Sequence, residues 1–158
     1  MSRRSSGQCV AAGNASRIFT EDFICQLHVR MYGQVWGWAG NFRKTNKNIG
    51  IHYLQVRQAL RELIDDAGFW VGNSVYPPDE LAIRFKHRLV SIHCFPNGNG
   101  RHSRLMADII SQHVFKQQVF SWGGVSLVSP GELRKTYIAA LRLADGGTLP
   151  KLIRFARS

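Results

Sequence analysis

Residues 93–104, His93-Cys94-Phe95-Pro96-Asn97-Gly98-Asn99-Gly100-Arg101-His102-Ser103-Arg104, constrain this chain more than any other stretch. They follow an apolar stripe at helical spacing, Leu81, Phe85, Leu89 and Ile92, that delivers a histidine at its end. Two glycines and two asparagines, the residues that best tolerate positive φ, then force a tight turn. The turn feeds a new helix through Phe115. Two helices are thereby joined at a sharp corner beside one histidine. Successive N–H groups at Gly98, Asn99 and Gly100, aided by the helix dipole, make a concavity suited to an anion. Arg101 and Arg104 are three apart and share a face, and guanidinium forks match phosphate oxygens. A general base beside a polyphosphate site is one reading; a plain helical corner with solvated arginines is the other.

The remaining pattern predicts helices. Thr20 is positioned to cap a helix whose first turn holds Glu21 and Asp22, with Phe23, Leu27 and Met31 as its stripe and Ile24 and Val35 flanking. Residues 41–53 are polar, with alternating Ile49 and Ile51, and predict a loop or short hairpin. A helix from Val56 to about Phe69 carries Leu60, Leu63, Ile64 and Ala67. Pro77 and Pro78 open the helix that ends near His93. Ser129-Pro130-Gly131-Glu132 is a capping box for a helix to about Leu143, and a short last helix holds Leu152, Ile153 and Phe155. The class is all-α with one small β excursion. Residues 1–17, rich in Ser, Gly and Arg, read as a flexible tail before a single domain at 18–158.

Charge narrows the partners. Twenty-one Lys and Arg against ten Asp and Glu give +11. No acidic residue occurs from Phe23 to Arg61, nor from Leu81 to Ala107. Such a field attracts polyanions, and a basic nucleic-acid-binding module is an alternative from charge alone. That module would not need His93, the turn and both arginines in this order, so nucleic acid is not the expected partner. No apolar run reaches membrane-spanning length, so no membrane association is expected. Three cysteines without C-x-x-C spacing suit a reducing compartment, and a cytoplasmic location is expected.

The order His93, Phe95, Gly98, Asn99, Gly100, Arg101, Arg104 resembles the signature of the Fic (Fic/Doc, Fido) family, H-P-F-x-[D/E]-G-N-G-R-x-x-R. Trp38-Ala39-Gly40-Asn41-Phe42-Arg43 resembles the W-x-G-x-[FY]-R segment before that family's β-hairpin flap. The P-N-G-N-G-R-H variant is most similar to the group called mobile mystery protein B. The resemblance implies a Fic-type helical bundle with a flap over residues 44–53. It also implies a protein adenylyltransferase that moves AMP from ATP to a Ser, Thr or Tyr hydroxyl of a target protein. By that resemblance His93 is the base, Gly98–Gly100 cradle the phosphates, and Asn99 steadies the α-phosphate. Arg101 and Arg104 hold the outer phosphates, Phe95 anchors the loop, and Lys44, Lys47 and Ile51 contact the target. A Fic fold that transfers another group, or one that binds nucleotide without reacting, is the alternative.

Two departures stand out. Asn97 occupies the place of the family's acidic Mg²⁺ ligand, so weak Mg²⁺ binding that leans on ATP is expected. Cys94 replaces proline and is expected to be a buried, inert thiol. The family's inhibitory [S/T]-x-x-x-E-[G/N] pattern fits none of Glu21, Glu62, Glu80 and Glu132. Three sources of control then stand open: an antitoxin-like partner in trans, a segment upstream of this sequence, or no regulation.

Overall fold

The computed structural model describes residues 6–125 and 128–158. Seven α-helices follow in order among them: α1 (Ser6–Ile18), α2 (Glu21–Tyr32), α3 (Val56–Gly72), α4 (Pro78–Ile92), α5 (Asn99–Ile109), α6 (Pro130–Asp145) and α7 (Pro150–Ala156). A 3₁₀ turn, Tyr53–Gln55, precedes α3, and α5 runs on into a π-helical turn, Ile110–Val114. The described residues contain no strand. None of their helices is long and apolar enough to cross a membrane.

Helix α4 is the axis. Leu81, Ala82, Ile83, Phe85, Leu89 and Ile92 are buried along it, so it is apolar on more than one side. It packs against α3, α5, α7 and the π turn. Burying residues of this size is worth roughly 1.5–3 kcal/mol each, which is why this helix organises the others. The caps act where the sequence places them. Thr20 Oγ1 accepts the Phe23 N–H at 3.0 Å, and Ser129 Oγ accepts the Glu132 N–H at 3.3 Å. At the far end Arg157 clamps Asp79 through two bonds, of 2.5 and 2.9 Å, while its guanidinium lies 4.0 Å from the Phe120 ring centroid. The last turn of the chain is thus tied to the first turn of α4.

Three expectations need correction. Residues 6–17 lie in helix α1 rather than in a flexible tail. Ala15 and Ile18 are buried and Ala11 partly so, at positions i, i+4 and i+7. Small residues form this stripe, so its hydrophobic signal is weak, but it docks on α3 and the π turn. Asn14 Nδ2 adds a bond to the His113 carbonyl at 2.6 Å. Residues 1–5 lie outside the described residues.

The α2 core face is Ile24, His28 and Tyr32, while Val35 is exposed. The face is turned because a buried histidine and tyrosine carry it, and hydropathy does not count them. Finally, the expected β-hairpin over 44–53 is an irregular loop of bends. Arg43 claims the Thr45 and Ile51 carbonyls, and Asn46 Oδ1 accepts the Tyr53 N–H at 2.9 Å. Groups that would pair across a hairpin are taken by side chains.

Two interior histidines give the fold an acid limit. His102 is 1% exposed and its Nε2–H donates to the Ile24 carbonyl at 2.9 Å; burial pulls its pKa down to about 4. His28 is fully buried and its pKa is also lowered, again chiefly by burial. The unfolded chain therefore binds protons first, and stability present above pH 6.5 is lost as pH falls toward 4. His102 alone should contribute about 3 kcal/mol to that loss. Urea midpoints measured from pH 7 to 4.5 should fall steeply, and His102→Gln, which keeps an N–H donor, should flatten the curve.

Candidate active site

The end of α4 sets the site. His93 closes the helix in the left-handed conformation, φ 56°, and its N–H still reaches the Leu89 carbonyl at 3.3 Å. The carbonyls of the last turn then need donors. Arg43 supplies them from inside the protein, at 3% exposure. Its Nε donates to the His93 carbonyl at 2.5 Å and its Nη2 to the Ile92 carbonyl at 3.3 Å. Nη1 donates to Thr45 at 3.0 Å, and Nη2 also to the Ile51 carbonyl. The Arg43 backbone N–H adds a bond to the Cys94 carbonyl at 2.9 Å. A guanidinium at a helix C-terminus is favoured by the dipole as well. One side chain therefore caps the helix that carries His93 and holds the 44–53 loop over it. Gly50 shows how close that loop lies: a Cβ there would sit 2.5 Å from the Cβ of His93.

The turn after His93 is locked from within. Asn99 is 5% exposed, and its side chain bonds both ways to Phe95, accepting the N–H at 2.9 Å and donating to the carbonyl at 2.8 Å. Phe95 is fully buried and stacks on His28 with centroids 3.9 Å apart. His28 Nδ1 accepts the Gly40 N–H at 2.9 Å, which leaves its Nε2–H to donate to the Asn97 carbonyl at 3.0 Å. This neutral tautomer joins α2, the Trp38–Gly40 turn and the His93 loop. Gly98 completes the corner at φ 79°, where a Cβ would fall 2.5 Å from the Tyr32 ring. Only glycine fits there.

Helix donors without partners gather where the turn enters α5. Gly98 N–H is already taken by Asn97 Oδ1 at 2.8 Å. The N–H groups of Asn99, Gly100 and Arg101 are first-turn donors and find no partner among the described residues. The concavity expected over Gly98–Gly100 is therefore shifted one residue on. Gly100 leaves open space above it, since nothing lies within 4 Å of a Cβ built there. Arg101 is exposed and Arg104 half-buried, and neither forms an ion pair among the described residues. His93 Nδ1 is buried and lacks a hydrogen-bond partner among the described residues. Burial, then the Arg43 and Lys47 cations, lower the His93 pKa, so the imidazole is neutral at pH 7.

Of the residues proposed for target contact, Lys44 and Lys47 are exposed on the loop and Ile51 is half-buried. An open cleft of ≈ 500 Å³, lined by Phe42, Lys44, Tyr53, Leu54 and Arg57 among others, lies along this loop. Cys94 is 1% exposed with its thiol pKa raised to about 12, as befits an inert packing residue. The residues do not fit a magnesium site of their own. Asn97 Oδ1 is occupied by Gly98 N–H, and the described residues hold no cluster of three His, Cys, Asp or Glu that could ligate a metal. Sequence reasoning missed Arg43 as the strap, His28 as the tie and Lys86 beneath Arg104. Arg43 carried a signal as the last residue of its Trp–Gly segment; Lys86 stood out only as a lysine among apolar neighbours on α4.

Removing Arg43 should be costly because several buried carbonyls lose their donors at once. Arg43→Met is expected to lower unfolding free energy by about 3 kcal/mol or more, and Arg43→Lys, which cannot fork, by roughly 2. Urea unfolding at pH 7 checks both values.

Residues 18–111 match the family model described as Fic/DOC family. The chain is 30% identical over 137 residues to a protein named "Protein adenylyltransferase Fic" from Drosophila grimshawi, covering 84% of this chain and 26% of that protein. It is 28% identical over 142 residues to the fic-1 adenylyltransferase of Caenorhabditis elegans, covering 85% and 26%. The chain thus spans about a quarter of the length of these curated relatives. Among solved structures, Fic-1 from C. elegans superposes with a TM-score of 0.69 at 23% identity over 99% of this chain and 50% of that one. A Fic-domain signaling protein from Bacteroides thetaiotaomicron gives 0.72 at 20% over 95% and 62%. BepC from Bartonella tribocorum, solved with AMPPNP bound, gives 0.65 at 15% over 96% and 82%. At these identities the superpositions speak for the fold, and with the family match over more than half of the chain they lead to one assignment: the protein belongs to the Fic/DOC family.

Proposed function

We propose that the protein is a Fic-type adenylyltransferase that transfers AMP from ATP to a hydroxyl of a target protein. One observation carries this reading. A neutral histidine ends α4, and the turn that follows it opens α5 with three N–H donors without a hydrogen-bond partner and two arginines, Arg101 and Arg104, without an ion-pair partner among the described residues. A base and a polyphosphate cradle are the equipment that phosphoryl-type transfer needs. The curated relatives that align over most of this chain are named adenylyltransferases, and a structural neighbour holds an ATP analogue.

In this mechanism ATP lies with its phosphates over the N–H groups of Asn99, Gly100 and Arg101. Arg101 and Arg104 hold the outer phosphates, while Asn99, through Phe95, keeps the turn in shape. Lys44, Lys47 and Ile51 present the target segment along the loop above His93. A Ser, Thr or Tyr hydroxyl gives its proton to His93. Its oxygen forms a bond to the α-phosphorus, the bond to the bridging oxygen breaks, and pyrophosphate leaves with its charge held by the arginines. The protein contributes no carboxylate for Mg²⁺ at Asn97, and no step is assigned to the ion. Residues 18–158 act as one catalytic domain, with α1 as an integral support. We place it in the cytoplasm, where ATP and target proteins are available and a free Cys94 thiol persists. Arg104, without an ion pair among the described residues, suits an acidic group from an antitoxin-like partner as a means of control.

Incubation with α-labelled ATP and a cell lysate tests the reaction. Wild type should label protein from the α-position and not from the γ-position, and His93→Ala should lose at least 100-fold. Label from the γ-position only would replace this reading by kinase chemistry. The pH profile is a separate check. Because the His93 pKa is lowered, the acid limb should have its midpoint below 6.5, and Lys47→Ala should move it upward. Added salt should narrow that difference, since Lys47 is exposed.

A further inference from the structure

Lys86 is the most unusual side chain outside the site just described. It is fully buried on α4, two turns before the helix ends at His93. Its Nζ donates to Tyr137 Oη on α6 at 2.8 Å, its one side-chain hydrogen bond among the described residues. The same Nζ lies 5.1 Å from the centroid of the Tyr137 ring. The Arg104 guanidinium addresses that ring too, at 5.8 Å. Two cations of two helices therefore meet on one phenol.

Among the described residues no carboxylate forms an ion pair with either cation. Asp108 faces Arg104 at longer range, with its Oδ1 accepting from the Phe120 and Trp122 N–H groups. Asp145 of α6 faces Lys86 at longer range, but its Oδ1 is bound to His87 Nε2 at 2.7 Å. Asp66 of α3 is taken by Arg88, and Asp79 at the start of α4 by Arg157. A buried ammonium without a counter-ion is costly, and a methionine of similar length would fill the same space at less cost. What the lysine adds is a charge that responds to its surroundings. Burial, then the Arg104 charge, pull its pKa down to about 7, with Asp145 opposing. Near neutral pH the free protein thus holds a mixture of amine and ammonium.

We propose that Lys86 and Tyr137 form an inner layer of the anion site, positioning Arg104 through the phenol ring and taking up a proton as the outer phosphates of a nucleoside triphosphate reach Arg104. The proposal rests on the reading of Arg104 as a phosphate ligand given above. Added negative charge at Arg104 favours the ammonium form, so binding and protonation help each other. Affinity for a triphosphate then strengthens as pH falls through 7. A monophosphate, which does not extend to Arg104, gains nothing from Lys86. Lys86 touches no reacting atom in this scheme and acts only through Tyr137 and Arg104.

Calorimetric titration of ATP with Mg²⁺, in buffers of two ionisation enthalpies, tests it with the full chain. At pH 7 wild type should take up about half a proton per ATP, and none per AMP. Lys86→Met should abolish the uptake while unfolding at the same or a higher temperature. From pH 6 to 8 the affinity of wild type for ATP should fall about fivefold more than that of Lys86→Met. Tyr137→Phe keeps the ring and drops the acceptor, and should move the midpoint of the wild-type pH dependence. If Arg104→Ala loses ATP binding yet Lys86→Met matches wild type in uptake and pH slope, the inner layer is refuted and the phosphate site stands. If wild type binds no ATP, or Arg104→Ala binds it as well as wild type, the site reading fails and the inner layer falls with it.

Discussion

Arg43 is the interaction on which the rest of the site depends. Helix α4 must end at His93, and a helix end leaves carbonyls without donors in the protein interior. A buried guanidinium meets that need with a planar fork, and it does so while fixed to the loop that crosses over His93. The charge it brings is also part of the electrostatic setting that keeps the imidazole neutral. Capping, loop placement and base tuning are therefore one interaction seen from three sides.

The turn after His93 follows a similar economy. Every residue that bends it is held by its own neighbours: Asn99 by Phe95, Phe95 by His28, and Gly98 by the face of Tyr32. With these groups satisfied internally, the helix N–H donors that follow are left without partners among the described residues. The neutral His28 and His102 that stabilise this interior also make it acid-sensitive, since burial lowers the pKa of both. Lys86 runs the other way: its charge is poorly accommodated in the free protein, and a phosphate at Arg104 would relieve that.

Much of this was legible in the sequence. The helices opened by Thr20 and Ser129 begin where their caps stand, because a cap is a local contact between residues three apart, and α4 begins at Pro78, whose fixed φ suits a first helical turn. The His93–Arg104 motif placed the histidine, the turn and the arginines together because they are contiguous in the chain. Helix α1 was not legible, since an Ala11–Ala15–Ile18 stripe becomes persuasive only when α3 and the π turn lie against it. The loop over 44–53 has strand-like alternation, yet Arg43 and Asn46 take the groups a hairpin would use.

The sequence by itself determined the all-α class, the corner after His93 and the cationic character of the site, because periodicity, glycine tolerance and charge are local properties. Tertiary structure alone decided that α2 buries His28 and Tyr32, that Arg43 straps the loop to α4, and that Lys86 meets Arg104 on Tyr137. Those contacts join residues from 33 to 69 positions apart, and only packing can bring such distant groups within hydrogen-bonding or ring-contact reach.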